Sequence, residues 1–141
     1  MRTRLTELLE IEHPVMLAGM GGVSYHRLAA AVSEAGGFGC LGASTMTHQE
    51  MIEEMAKVRE LTAKPFGVDL LTAIPGQVAA QIADVIKGGA RVFVAGLGVP
   101  RDAIDLLHDN NVLVGSMCGK VRHATASTTW GTRAIVATVP V

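Results

Sequence analysis

The sequence predicts an α/β protein built on a parallel sheet. Three observations carry that prediction. Short β-branched runs alternate with longer amphipathic runs, roughly every 20 to 28 residues. The short runs are apolar on both faces, as strands are when helices cover a parallel sheet. Glycines gather at the strand ends, at Gly19, Gly42, Gly96 and Gly115, and in parallel α/β folds ligands bind at the carboxyl ends of strands.

The elements follow in order. "PVMLAGM" (14–20) reads as the first strand. "YHRLAAAVSEAGG" follows as a helix stopped by its glycines. "FGCLGAS" (38–44) is the second strand. "THQE" has the form of a capping box, with Thr47 capping the backbone and Glu50 reaching back. The helix it opens puts Met51, Ile52, Met55 and Val58 on one face. Pro65 ends that unit, and "FGVDLLTA" (66–73) is the third strand. "PGQVAAQIADVIKGGA" is a helix with Pro75 near its start and Gly88-Gly89 at its end. "RVFVAGLGV" (91–99) is the fourth strand, "PRDAIDLLHDNN" a helix opening at Pro100, and "VLVGSMC" (112–118) the fifth strand. After about Ala124 the chain becomes threonine-rich and carries its one tryptophan, Trp130. There only "AIVATVPV" reads as a strand, and no helical period precedes it.

The chain's 141 residues suit one domain and one core. Nearly half the residues are apolar, which argues for a folded chain. With net charge −1, no basic run and few aromatic residues, nothing supports nucleic-acid binding. The segment "MRTRLTELLEIEH" lacks the uninterrupted apolar core of a signal peptide, and no apolar run is long enough to span a bilayer. Cys40 and Cys118 are far apart and not in metal-ligand spacing; reduced thiols in a cytoplasmic protein are the expectation. The histidines at 26, 48, 108 and 123 read as surface residues on helices or at their starts.

"HPVMLAGMGGVS" (13–24) runs from a strand into a glycine-rich turn. As a dinucleotide fingerprint it nearly fits, with Gly19, Gly21 and Ser24 in the glycine positions. The acid expected at the end of the second strand is missing from "GASTMT", and no Gly-Lys-Ser/Thr follows for a phosphate loop. The glycines still let the backbone lie against a flat ligand and offer its N–H groups.

"PVMLAGMGGVSYHRLAAAVSEAGGFGCLGAS", "KPFGVDLL", "RVFVAGLG" and "VLVGSMCGKVRHA" together resemble the nitronate monooxygenases, also called 2-nitropropane dioxygenases, and the related flavin-dependent enoyl-acyl-carrier-protein reductases. The resemblance covers about residues 1–124, which it makes the N-terminal half of a TIM-barrel FMN-binding domain; 125–141 would be a divergent tail. It implies a partial (β/α)8 barrel of about five units with strands in sequential order. It also implies FMN as cofactor, alkyl nitronates as substrates and oxygen as co-substrate. Met20, Gly21 and Gly22 would contact the flavin ring, largely through backbone. Asp69 stands where family members often carry asparagine, in "GVN", and Met117 where many carry a lysine before the cysteine. Asp69, Ser116 and Met117 complete the expected cofactor contacts.

The resemblance assigns no catalytic residue here. The family's base is a histidine in a Glu-Ala-Gly-Gly-His segment after the sixth strand, which this sequence does not contain. The loops expected to hold the FMN phosphate follow strands seven and eight. The sequence therefore reads as a truncated or frame-disrupted family member, with little or no activity alone and with exposed barrel edges open to self-association. Two other functional readings stand beside this one: a flavin-dependent enoyl-thioester reductase, and a non-catalytic remnant or interaction module. A flavodoxin-like doubly wound sheet is the alternative fold; it would put helices on both faces of the sheet, the barrel on one.

Overall fold

A computed structural model describes residues 2–72, 78–98 and 101–137. The expected helix starts at Pro75 and Pro100, and the end of the last expected strand, lie outside these residues. Five parallel strands form one sheet in sequential order: β1 (Gly39–Gly42), β2 (Phe66–Leu71), β3 (Val92–Gly96), β4 (Leu113–Cys118) and β5 (Ala134–Ala137). The connecting helices are α2 (His26–Glu34), α3 (His48–Leu61), α4 (Val78–Lys87), α5 (Arg101–Asp109) and α6 (Val121–Thr129), with α1 (Arg4–Leu9) ahead of them.

The side chains divide the sheet into two faces. Leu41, Phe66, Val68, Leu70, Phe93, Ala95 and Val114 pack against Ala29 of α2, Met51, Met55 and Val58 of α3, Ile82 and Val85 of α4, and Ile104 and Leu107 of α5. The other face carries Phe38, Cys40, Val92 and Val94, joined by Met16, Leu113, Met117 and the α1 leucines 5, 8 and 9. The crossover helices therefore share one face. Together with the sequential strand order, this makes the fold part of a (β/α)8 barrel and not a doubly wound sheet. Burying a phenylalanine such as Phe93, which is fully enclosed, contributes about 1.5–3 kcal/mol.

Three local readings differ from the structure. Residues 14–20 form no strand and pair with the sheet through a single parallel bridge, Met16 to Phe38. Pro14 has no N–H to donate, and after Leu17 N–H bonds the Phe38 carbonyl the chain leaves for its turn. Next, α1 was not expected. Thr3 caps it, exchanging hydrogen bonds with Thr6 in a capping box, and Glu10 ends it in the left-handed region at φ 59°. Finally, α6 forms where no helical period is visible. Its hydroxyls fold back on its own carbonyls: Thr125 Oγ1 donates to Val121 O at 3.1 Å, and Thr128 and Thr129 to Thr125 O at 2.8 and 2.9 Å. The boundary expected at residue 124 falls inside this helix, and β5 adds to the same sheet.

The capping box at Thr47 and Glu50 forms as expected. Met51, Met55 and Val58 are buried, while Ile52 is half-buried. Glu54 is buried among them because His26 holds it: the His26 backbone N–H donates to Glu54 Oε2 at 2.9 Å, and the ring Nδ1 lies 2.7 Å from the same oxygen. His48 pairs with Asp84 at 2.6 Å. These two histidines, read as plain surface residues, link α2 to α3 and α3 to α4.

Candidate functional site

Strand register fixes what meets at the carboxyl ends. Gly42, Asp69, Val94, Gly115 and Ala134 form one row across the sheet. Their pleat places Gly42, Asp69, Val94 and Gly115 on the face shared with Cys40 and Val92, the barrel interior. Of these four, Asp69 is the one polar side chain.

The turn at residues 20–24 sits over the end of β1. Val23 and Ser24 N–H both bond the Met20 carbonyl. Ser24, fully buried, closes the turn with its hydroxyl, which accepts from Met20 N–H at 2.7 Å and donates to Met20 O at 3.1 Å. Gly42 N–H bonds the Ser24 carbonyl. A Cβ on Gly42 would stand 2.4 Å from the Met20 carbonyl carbon, so this approach requires glycine. Gly22 has φ +76° and open space where a side chain would be. Met20 and both following glycines are exposed. The N–H groups of Gly21 and Gly22 have no acceptor among the described residues. The turn thus presents two free donors and a bare backbone surface at the carboxyl end of the barrel.

Asp69 lies beneath this turn. A Cβ on Gly19 would fall 2.6 Å from Asp69 Oδ2, and one on Gly96 would stand 3.6 Å from Oδ1. The residue is only 8% exposed. Burial pushes its carboxyl up to about 6. Burial, reinforced by the Asp69 charge, pushes the neighbouring Cys40 thiol far above its usual range, so Cys40 stays protonated and inert.

Gly96 also lines a cleft of about 770 Å³, in the size range of small-molecule sites. Leu71, Leu97, Ser116, Met117, Cys118, Lys120, His123, Ser127 and Trp130 contribute to its walls. Leu97 is held in the left-handed region at φ 57° and is strongly exposed, a costly arrangement for a branched residue. Trp130 stacks against the Arg101 guanidinium, 4.1 Å from the ring centre.

The expected contacts thus fall into neighbouring groups. Met20, Gly21 and Gly22 form the turn, Asp69 sits between Gly19 and Gly96, and Ser116 and Met117 line the cleft. Met117 lies on the interior face. The Ser116 hydroxyl points the other way, 3.2 Å from Ser127 Oγ of α6 and 3.4 Å from Cys118 Sγ. Sequence reasoning missed Leu97 and Trp130. "GLG" after a strand is a signal for the former; nothing local marks Trp130, because α6 was itself unreadable.

Comparison with known proteins supplies the lineage. The family model for nitronate monooxygenase matches residues 2–80. A (3aS,4S,5R,7aS)-5-hydroxy-7a-methyl-1-oxo-octahydro-1H-indene-4-carboxyl-CoA dehydrogenase of Mycobacterium tuberculosis is 37% identical over 96% of this chain and 38% of its own length. A probable nitronate monooxygenase of Staphylococcus haemolyticus is 45% identical over 48% of this chain and 19% of its own. Among solved structures, FabK from Thermotoga maritima superposes with TM-score 0.91 at 34% identity, over 97% of this chain and 44% of that one. Nitroalkane oxidase from Streptomyces ansochromogenes gives 0.86 at 28%, over 96% and 48%. The chain spans less than half the length of these relatives. With more than half of its residues matched by the family model, and with that turn at the carboxyl end of a parallel, sequentially ordered sheet, the chain belongs to the nitronate monooxygenase family.

Proposed function

We propose that the chain forms the ring-facing part of a flavin-dependent oxidoreductase site, with FMN as cofactor, alkyl nitronates as substrates and oxygen as co-substrate. The observation that carries this reading is the pair of free N–H groups on Gly21 and Gly22 in an exposed turn at the carboxyl end of the barrel, with open space beside Gly22 and the side chains of Ser44 and Thr45 beside Gly21. A flat heteroaromatic ring needs bare backbone to lie on and donors for its carbonyls, and the residues present fit that need. Bound FMN would supply two-electron chemistry between substrate and oxygen. The residues of this chain bind and orient it: the Met20–Gly22 turn offers donors, Asp69 a carboxyl, Met117 and Leu97 apolar walls, with Ser116 at the base of the cleft. No residue of this chain takes the role of catalytic base.

A second reading, oxidoreduction of an acyl or enoyl thioester, draws on a specific observation. The carboxyl-CoA dehydrogenase relative aligns over 96% of the chain, whereas the nitronate monooxygenase model ends at residue 80. Lys120 and His123 at the cleft rim suit a phosphorylated carrier. We place the protein in the cytoplasm; among the described residues no helix is long and apolar enough to cross a membrane. Self-association through the sheet edges is part of the proposal, and gel filtration reads it.

The test is the visible spectrum of the purified, monodisperse protein after incubation with FMN and gel filtration. A retained flavin band supports the reading. A folded, colourless protein that also fails to bind free riboflavin refutes it. Nitronate oxidation measured against enoyl-thioester reduction then separates the two substrate classes.

A further inference from the structure

We propose that the Asp69 carboxyl is the proton-exchanging group of this site, and that a flat heteroaromatic ligand binds there with uptake of one proton by Asp69. The inference rests on the flavin-site reading above and adds a linkage to it. Its geometry is a solitary carboxyl. Asp69, fourth of the six β2 residues, points into the barrel interior, wedged between Gly19, just before the turn, and Gly96 of the cleft. It has no hydrogen bond and no ion pair among the described residues. Its oxygens still reach solvent at this 8% exposed residue, and a carboxyl that keeps its acceptor and donor capacity free next to Gly96 of the cleft can offer it to a ligand.

No neighbouring charge decides its state. From β1 it is faced by Cys40, a buried thiol, and by Gly42; from the turn by Gly19; from β3 by Val94 and Gly96. Burial alone pushes the carboxyl up to about 6. A ring laid on the turn removes the water that remains at this 8% exposed residue and so favours the neutral acid further. The neutral acid has an O–H to donate to a ring carbonyl, as Gly21 and Gly22 donate from the other side. An ionised Asp69 would set an unpaired negative charge against those carbonyls. The protonated form is therefore the binding-competent one.

Riboflavin is the probe, because it carries the ring without a phosphate that titrates in the same range. Its affinity is read by fluorescence quenching. If only the protonated form binds, the apparent affinity falls roughly 25-fold between about pH 5.5 and pH 7.5. Asp69→Asn keeps the shape without the titration, and its affinity stays flat across that range. Calorimetry on the unmodified protein in two buffers of different ionisation enthalpy gives an independent readout, and approaches uptake of one proton per riboflavin at about pH 7.5. Binding that is independent of pH, proton release, or the same pH profile in Asp69→Asn overturns the inference and leaves the flavin reading standing. Failure of the unmodified protein to bind riboflavin at any pH overturns both.

Discussion

Replacing Asp69 by asparagine should stabilise the ligand-free protein at alkaline pH and do far less in acid. The carboxyl moves from its ordinary 3.8 when unfolded to about 6 when folded, a difference worth about 3 kcal/mol. The sign follows from proton counts. Between those two values the folded chain holds more protons than the unfolded one, so stability falls as pH rises through the window. The penalty sets in above about 3 and is complete above about 7. Asparagine carries no such penalty, while its own burial cost is the same at every pH. The quantity to measure is therefore the Tm of Asp69→Asn minus that of the unmodified protein, at pH 4.5 and at pH 8. It should grow by roughly 6–10 °C between the two, since about 1 kcal/mol of the penalty is already present at pH 4.5 and 1 kcal/mol moves a domain of this size by about 3–5 °C. A difference that stays constant with pH, or shrinks toward pH 8, would refute the account of Asp69 as a carboxyl disfavoured by burial.

Gly42→Ala sets a Cβ 2.4 Å from the Met20 backbone; denaturant midpoints should show a loss of about 1–3 kcal/mol, and riboflavin binding should weaken with it. Phe93→Ala empties a fully buried position and should cost about 3–5 kcal/mol by the same measurement. Although burial of Glu54 opposes it, the His26 N–H and ring bonds lower its carboxyl below the usual 4.5. The resulting stability is present above pH 4.5 and lost on acidification below it; Glu54→Gln should remove that acid dependence and cost about 1–3 kcal/mol at neutral pH. Trp130 is the chain's one tryptophan and lines the cleft, so riboflavin should quench its emission; unchanged emission at saturation would place the ring elsewhere.

The alternation of apolar and amphipathic runs made the parallel sheet legible, because strands buried on both faces have little freedom in composition. The Thr47–Glu50 capping box was legible for the same local reason. Other features depend on non-local partners. Glu54 looks like a solvent residue until His26 is brought to it from a neighbouring helix. The segment at 14–20 has strand composition but only one point of pairing. In α6, threonine hydroxyls satisfy carbonyls within the helix, a device that hydrophobic periodicity cannot display. At the site, the glycine-rich turn could be read in advance. That Asp69 stands alone beside it could not, because its isolation is a property of what three other segments fail to bring.

The hydroxyl of Ser24 gives the turn a further property. Its two bonds to Met20, with the Gly42 bond to its own carbonyl, fix the shape of residues 20–24 before any ligand arrives. A ring settling on Gly21 and Gly22 would find its donors already aimed, and little backbone entropy would be lost on association. Affinity at such a surface is set mainly by what the ligand brings, so planar molecules should compete there to the extent that they carry acceptors for those donors.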